Sequence, residues 1–236
     1  MKLKIYSTIL FEGFANALLT LLLTNCSSNP ANTPTPETQT PPATQTQTTP
    51  AVSSKSGKIE LKSEGGKPAF SLKYESDGAK LVDENDRELA RLTVDSREKV
   101  KIKDSADRAI GYVVTDAQSW KIKNASQNQE LYVLQRQSDG DYKLKSSANQ
   151  EIYRIKKRKY GFEIETPAKQ SLYKIKSKDG KISLKNPSGK TVLYVKSGLT
   201  PIAIACFGFD ALSREQKAAL AYAVNLSVWY NIHLAK

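Results

Sequence analysis

Few groups in this chain could carry covalent or metal chemistry: Cys26, Cys206 and the single histidine, His233. A nucleophilic cysteine needs a base within hydrogen-bond reach, and a metal centre needs several ligands at close spacing. His233 stands alone near the end of the chain. Cys206 lies inside the uncharged run Ile202-Ala203-Ile204-Ala205-Cys206-Phe207-Gly208-Phe209, where a thiol is a small packing residue. The acidic groups Asp83, Glu84 and Asp86, and Asp104 with Asp107, fall in polar turns where Asp is favoured for backbone reasons, without the spacing of a calcium loop. No Gly-rich phosphate loop is present. The expectation is therefore a chain with no catalytic residue, no metal site and no cofactor, and hence no enzyme. Two cysteines this far apart imply no disulfide framework.

Charge is the remaining chemical feature. The formal net charge is +12, and residues 55–236 carry all of it. Such a balance suits an acidic partner, whether anionic lipid, nucleic acid or an acidic polymer. Lysines alternating with apolar residues also read more plainly as the solvated faces of strands, blunting sheet edges. One run breaks the alternation: Lys156-Lys157-Arg158-Lys159 reads as a disordered basic stretch and is the candidate contact for lipid or polymer.

The first 25 residues are a targeting segment. Met1-Lys2-Leu3-Lys4 supplies a positive start, followed by apolar residues that condense into Ala17-Leu18-Leu19-Thr20-Leu21-Leu22-Leu23. That run is too short and too interrupted, by Glu12 and Asn16, to span a bilayer. Leu23-Thr24-Asn25-Cys26 follows, and it resembles the lipobox of bacterial lipoproteins, with Asn25 where Gly, Ala or Ser is usual. The resemblance implies cleavage before Cys26 and its diacylation, giving stable anchoring at about 0.8 kcal/mol per buried methylene. Plain secretion or an uncleaved anchor are the alternatives. Residues 26–56 are rich in Pro and Thr, with almost nothing apolar, and read as a disordered tether. At about 3 Å per residue it reaches tens of ångströms. The expected location is the cell envelope, facing the periplasm or exterior, where an exported chain meets no nucleic acid.

From Gly57 to Gly198 the chain divides into units of about twenty residues. Seven opening strands, beginning near Lys58, Ala79, Val100, Trp120, Tyr142, Phe162 and Ile182, alternate apolar and polar residues and lead to polar turns, and six return strands follow, beginning near Ala90, Gly111, Leu131, Ile152, Leu172 and Leu193. Alternation with β-branched and aromatic residues marks half-buried strands. Seven units predict about 12–14 strands, too many for an open flat meander, so the sheet closes into an antiparallel β-barrel built of hairpins. Tyr112, Tyr132, Tyr153, Tyr173 and Tyr194, one per return strand, are expected at equivalent core or rim positions.

Residues 199–236 differ. Thr200-Pro201 suits a helix N-cap and first turn, so Ile202–Phe209 is expected as a short, wholly buried helix, with a buried strand as the alternative. Ser213-x-x-Gln216 reads as a capping box opening a second, Ala-rich helix. Neither piece can span a bilayer, because Asp210 and the charges from Arg214 to Lys217 divide them. A chain of hairpins ending in Pro201-Ile202-Ala203-Ile204-Ala205-Cys206-Phe207-Gly208-Phe209-Asp210-Ala211-Leu212-Ser213 resembles the tubby C-terminal-like fold, shared by tubby, phospholipid scramblase and LURP-one-related proteins. That resemblance implies a twelve-stranded barrel around a buried helix, and membrane association as the commonest theme.

Together these readings point to a non-catalytic envelope lipoprotein whose basic barrel contacts anionic membrane lipid or an acidic wall polymer. The alternative is a tethered scaffold for protein–protein contacts. No small-molecule substrate is expected.

Overall fold

The computed structural model describes residues 57–96 and 98–234, and the side chains of 229–234 fall outside that description. The leader, Cys26 and the Pro/Thr-rich segment lie outside the described residues. The mainly β architecture is a closed antiparallel barrel of fourteen strands, each bonded to its sequence neighbours. The strands are β1 Lys58–Lys62, β2 Pro68–Glu75, β3 Gly78–Asp83, β4 Glu88–Ser96, β5 Lys99–Asp104, β6 Ala109–Asp116 and β7 Ser119–Lys123. They continue with β8 Glu130–Arg136, β9 Tyr142–Ser146, β10 Glu151–Arg158, β11 Gly161–Glu165, β12 Ser171–Lys178, β13 Lys181–Lys185 and β14 Thr191–Val195. Helix α1, Pro201–Ala205, runs into a 3₁₀ turn Cys206–Gly208, and α2 spans Arg214–Leu234. No helix among the described residues is long and apolar enough to cross a membrane.

The two rims of the barrel differ. The seven hairpins β1–β2, β3–β4, β5–β6, β7–β8, β9–β10, β11–β12 and β13–β14 turn at one rim, and each carries a register shift beside its turn. Their turns repeat one design. A Ser, Asp, Asn or Thr ends the strand and the fourth residue sits at positive φ: Gly66, Asp86, Asp107, Gln127, Asn149, Lys169 and Gly189. The polar side chain that ends the strand often closes the turn, as when Asp104 Oδ1 accepts from the N–H of Ala106 (2.9 Å) and of Arg108 (3.0 Å). Each extra residue bends its strand and adds twist, and seven on one rim curl the meander until its ends meet.

One aliphatic side chain per strand forms the central layer: Leu61, Leu72, Leu81, Leu92, Ile102, Val113, Ile122, Leu134, Leu144, Ile155, Ile164, Ile175, Leu184 and Val195, all at most 1% exposed. Eight strands leave a bore that side chains can fill, and fourteen leave a wider one. Both helices fill it. The Thr200 hydroxyl accepts from the Ala203 N–H (3.3 Å) as N-cap of α1, which lies against β11–β13. The Ser213–Gln216 box is closed both ways, at 3.0 and 3.2 Å, and α2 returns past β4–β7. Ala218–Val224 are at most 4% exposed on every side of that helix. The second helix therefore runs inside the barrel through its first half. A small residue lets the turn after α1 press against the barrel wall: an added Cβ at Gly208 would lie 2.5 Å from Ile164 Cδ1.

The closing seam is slight. β1 and β14 pair only through Lys62↔Tyr194, while every other neighbouring pair has at least four register partners. Beyond Val195 the chain turns away at Gly198, whose φ is +89° and whose missing Cβ would meet Ile59 Cδ1 at 2.5 Å.

Candidate functional site: a lysine face without acids

The run expected to be disordered is ordered strand. Lys156, Lys157 and Arg158 end β10, and Lys159 follows in its turn. Strand alternation sends Lys156 and Arg158 to the outer face, where acids from neighbouring strands meet them. Lys156 Nζ pairs with Asp141, whose other carboxylate oxygen accepts the Lys157 N–H at 2.7 Å. Arg158 Nε donates to Glu163 at 3.0 Å and its terminal nitrogen pairs with Glu165. Burial draws the Asp141 carboxyl up, but Lys156 and the Lys157 N–H hold it below its ordinary value. Half of the run's charge is thus neutralised in place.

The free charge lies further along. Ser171 to Lys196 contains seven lysines and a single acid, Asp179. With Ile175, Ile182, Leu184 and Val195 facing inward, the period of two puts Lys174, Lys176, Lys178, Lys181, Lys185 and Lys196 on the outer face of β12–β14 and just beyond. None of these six forms an ion pair among the described residues. Glu163, across from Lys174 on β11, is engaged by Arg158, Tyr160 and Ser171. Lys174 stands directly opposite Lys185, and Lys178 opposite Lys181. Like charges facing each other across a ladder destabilise a sheet. Ser183, between them, is 6% exposed, and Lys181 Nζ lies 4.0 Å from the Tyr194 ring centroid.

Several lysines elsewhere are matched: Lys73–Asp86 at 2.9 Å, Lys80–Glu75 at 2.6 Å, Lys101–Asp95 at 3.4 Å and Lys103–Asp107 at 3.0 Å. Lys67, Lys123, Lys145, Lys157, Lys159 and Lys169 form no ion pair among the described residues, but they are spread over different strands and turns, whereas the six lie together on adjacent strands from β12 across β14 to the seam. There a cleft of about 220 Å³ is lined by Lys58, Glu60, Lys62, Tyr194, Lys196 and their neighbours.

The recurrent tyrosines split into two sets. Tyr132, Tyr153 and Tyr173 stand opposite the inward residues Ile122, Leu144 and Ile164 and collar the end of α1. Tyr153 stacks on Phe209 with centroids 5.5 Å apart. The Tyr132 hydroxyl donates to the Ala211 carbonyl and that of Tyr173 to Asp210, both at 3.2 Å. Tyr112 and Tyr194 sit one residue further on, opposite Lys101 and Ser183, and so face outward. Cys206 is fully enclosed, and burial pushes its thiol up, away from the reactive thiolate. His233 falls within α2.

No protein-family model and no curated protein matches this chain. Among solved structures, a protein from Arabidopsis thaliana determined by X-ray is similar over 64% of this chain and 88% of its own, at 13% identity and a TM-score of 0.36. The architecture given above rests on this chain's own strand pairing. It matches the barrel-around-a-helix plan that the tubby-like resemblance implied, with fourteen strands in place of twelve and a second helix sharing the bore.

Proposed function

We propose that this chain is a non-catalytic envelope lipoprotein, anchored through acylated Cys26, whose β12–β14 face binds an anionic surface of membrane lipid headgroups or acidic wall polymer. The observation that carries the reading is the set of six lysines without acidic partners, two pairs of them directly opposed across the ladder. A fold that bears this repulsion gains from a polyanion that relieves it, at about 1 kcal/mol per Lys near an anionic surface. The leader, Cys26 and the Pro/Thr-rich stretch fit a tethered domain.

The test is sedimentation of the full-length Cys26→Ser chain with vesicles of phosphatidylglycerol and phosphatidylcholine, or with a wall polymer, at low and high salt. Salt-sensitive binding to the anionic surface supports the reading. Equal, negligible binding to anionic and neutral surfaces rejects it. Fatty-acid labelling of wild type and Cys26→Ser tests the anchor separately.

A further inference from the structure

The barrel closes through a single ladder pair, and the strand beside that pair is an acceptor for another strand. Tyr74 donates its N–H to the Gly57 carbonyl, and Ser63 donates to Lys67, both at 2.9 Å. Odd-numbered residues of β1 therefore turn their backbone groups toward β2, and Lys58, Glu60 and Lys62 turn theirs toward β14. Lys62 finds Tyr194. Continuing that register, Glu60 would meet Lys196 and Lys58 would meet Gly198. The chain has left the sheet by then, turned inward at Gly198 to begin the plug. Among the described residues an open edge of backbone N–H and C=O groups is left beside the cleft of about 220 Å³, and such an edge is a template for strand addition.

We propose that the splayed end of the seam binds a short extended acidic segment of a partner protein, added as a strand along Lys58–Glu60. The edge offers donors and acceptors in alternation, which a peptide backbone matches. A phosphate or a lipid headgroup presents acceptors without the matching row of donors. Charge selects the segment: the lining carries Lys58, Lys62 and Lys196 against Glu60, with Lys58 also reaching Asp86 outside the cleft at 3.6 Å. Glu60 is already held by Lys58 at 3.3 Å and Lys62 at 3.1 Å, and Lys196 has no acidic partner among the described residues. The site shares Lys196 with the basic face but rests on the backbone edge of β1, which the lysines of β12 and β13 do not supply, so it stands whether or not that face binds an anionic surface.

The experiment uses the full-length Cys26→Ser chain and a blocked octapeptide alternating glutamate and valine. Saturation with the peptide slows hydrogen exchange at the Lys58 and Glu60 amides about tenfold or more, as hydrogen-bond formation requires. The same peptide methylated at every backbone nitrogen keeps the charge and gives no protection. Lys58→Pro removes one seam-facing donor at the first position of its strand, where proline is tolerated. It weakens the peptide about three- to tenfold more than Lys58→Ala, which removes the same charge and keeps the N–H. Protection by the methylated peptide equal to that by the parent, or unchanged exchange at Lys58 and Glu60, overturns the proposal. Should the proline variant fail to fold, the exchange pattern of the parent chain decides.

Discussion

Asn225 on α2 is bonded to the backbone of Thr200 at the start of α1: its side-chain oxygen accepts the Thr200 N–H at 2.9 Å, and its nitrogen donates to the Gly198 carbonyl at 2.8 Å. Only 3% exposed, this amide ties the point where the chain leaves the sheet to the helix that fills the bore. Asn225→Leu removes the acceptor of the half-buried Thr200 N–H, at about 1–3 kcal/mol, while water can replace the donor at the exposed Gly198. The expected loss of stability is about 1–3 kcal/mol by urea denaturation. Asn225→Asp, which keeps an acceptor but loses the donor, costs less than leucine if its carboxyl protonates and more if it stays charged, so its stability falls as pH rises.

Gly198→Ala combines a left-handed φ of +89° with a Cβ placed 2.5 and 2.6 Å from the Ile59 side chain. Overpacking and backbone strain together predict a loss of about 2–4 kcal/mol. Adding Ile59→Ala relieves the contact but not the φ, so the double variant unfolds at higher urea than the sum of the two single effects predicts. Additivity would show that the contact is unimportant.

Replacing Lys185 by glutamate sets stability against binding. Opposite Lys174, Lys185→Glu turns a like-charge pair into an ion pair and raises stability by about 0.2–1 kcal/mol. The same change lowers binding to anionic vesicles several-fold. Lys156→Glu reverses the pattern, losing its Asp141 partner and destabilising the fold while leaving vesicle binding nearly intact. Paired measurement of unfolding midpoint and vesicle affinity checks both.

Acid weakens the barrel through its turns. Arg108, by its side chain and then its N–H, holds the Asp104 carboxyl below the ordinary 3.8. At Asp83, burial opposes the shift, but Arg87 and the Asn85 N–H outweigh it. A carboxyl with its pKa lowered on folding contributes fully above its unfolded value and loses that contribution as pH falls through the folded value. The urea midpoint is therefore expected to stay level from pH 7 to about 5 and to fall below about 4. Asp104→Asn lowers the plateau and flattens the decline, which titration of the midpoint would reveal.

The hairpins were legible because the turn residues and inward aliphatics repeat together, as in Ile102 with Asp104 and Leu184 with Asn186. β2 is not among the six return strands legible in the sequence: it follows Gly65-Gly66-Lys67, opens on Pro68 and lacks the tyrosine close after its turn that return strands from β6 onward carry. The tyrosines do not share one face, because two of them stand one residue beyond the inward place next to the bulge, and a shift of one residue moves a side chain to the opposite face. Tyr112 follows Gly111 and Tyr194 follows Leu193, which take the inward places. The basic face was hidden for a different reason. Whether a lysine is free depends on the residue across the ladder, and Lys156 meets an acid fifteen positions earlier while Lys174 meets Lys185.

The contents of the bore are synthesised only after all fourteen strands. While the hairpins emerge from the ribosome, the space they should enclose has no filling, and β1 must wait for β14 across most of the polypeptide. Such long-range closure slows folding and lengthens exposure to aggregation and proteases. A premature stop before Leu199 would therefore remove the interior of the molecule, leaving fourteen strands with nothing to surround.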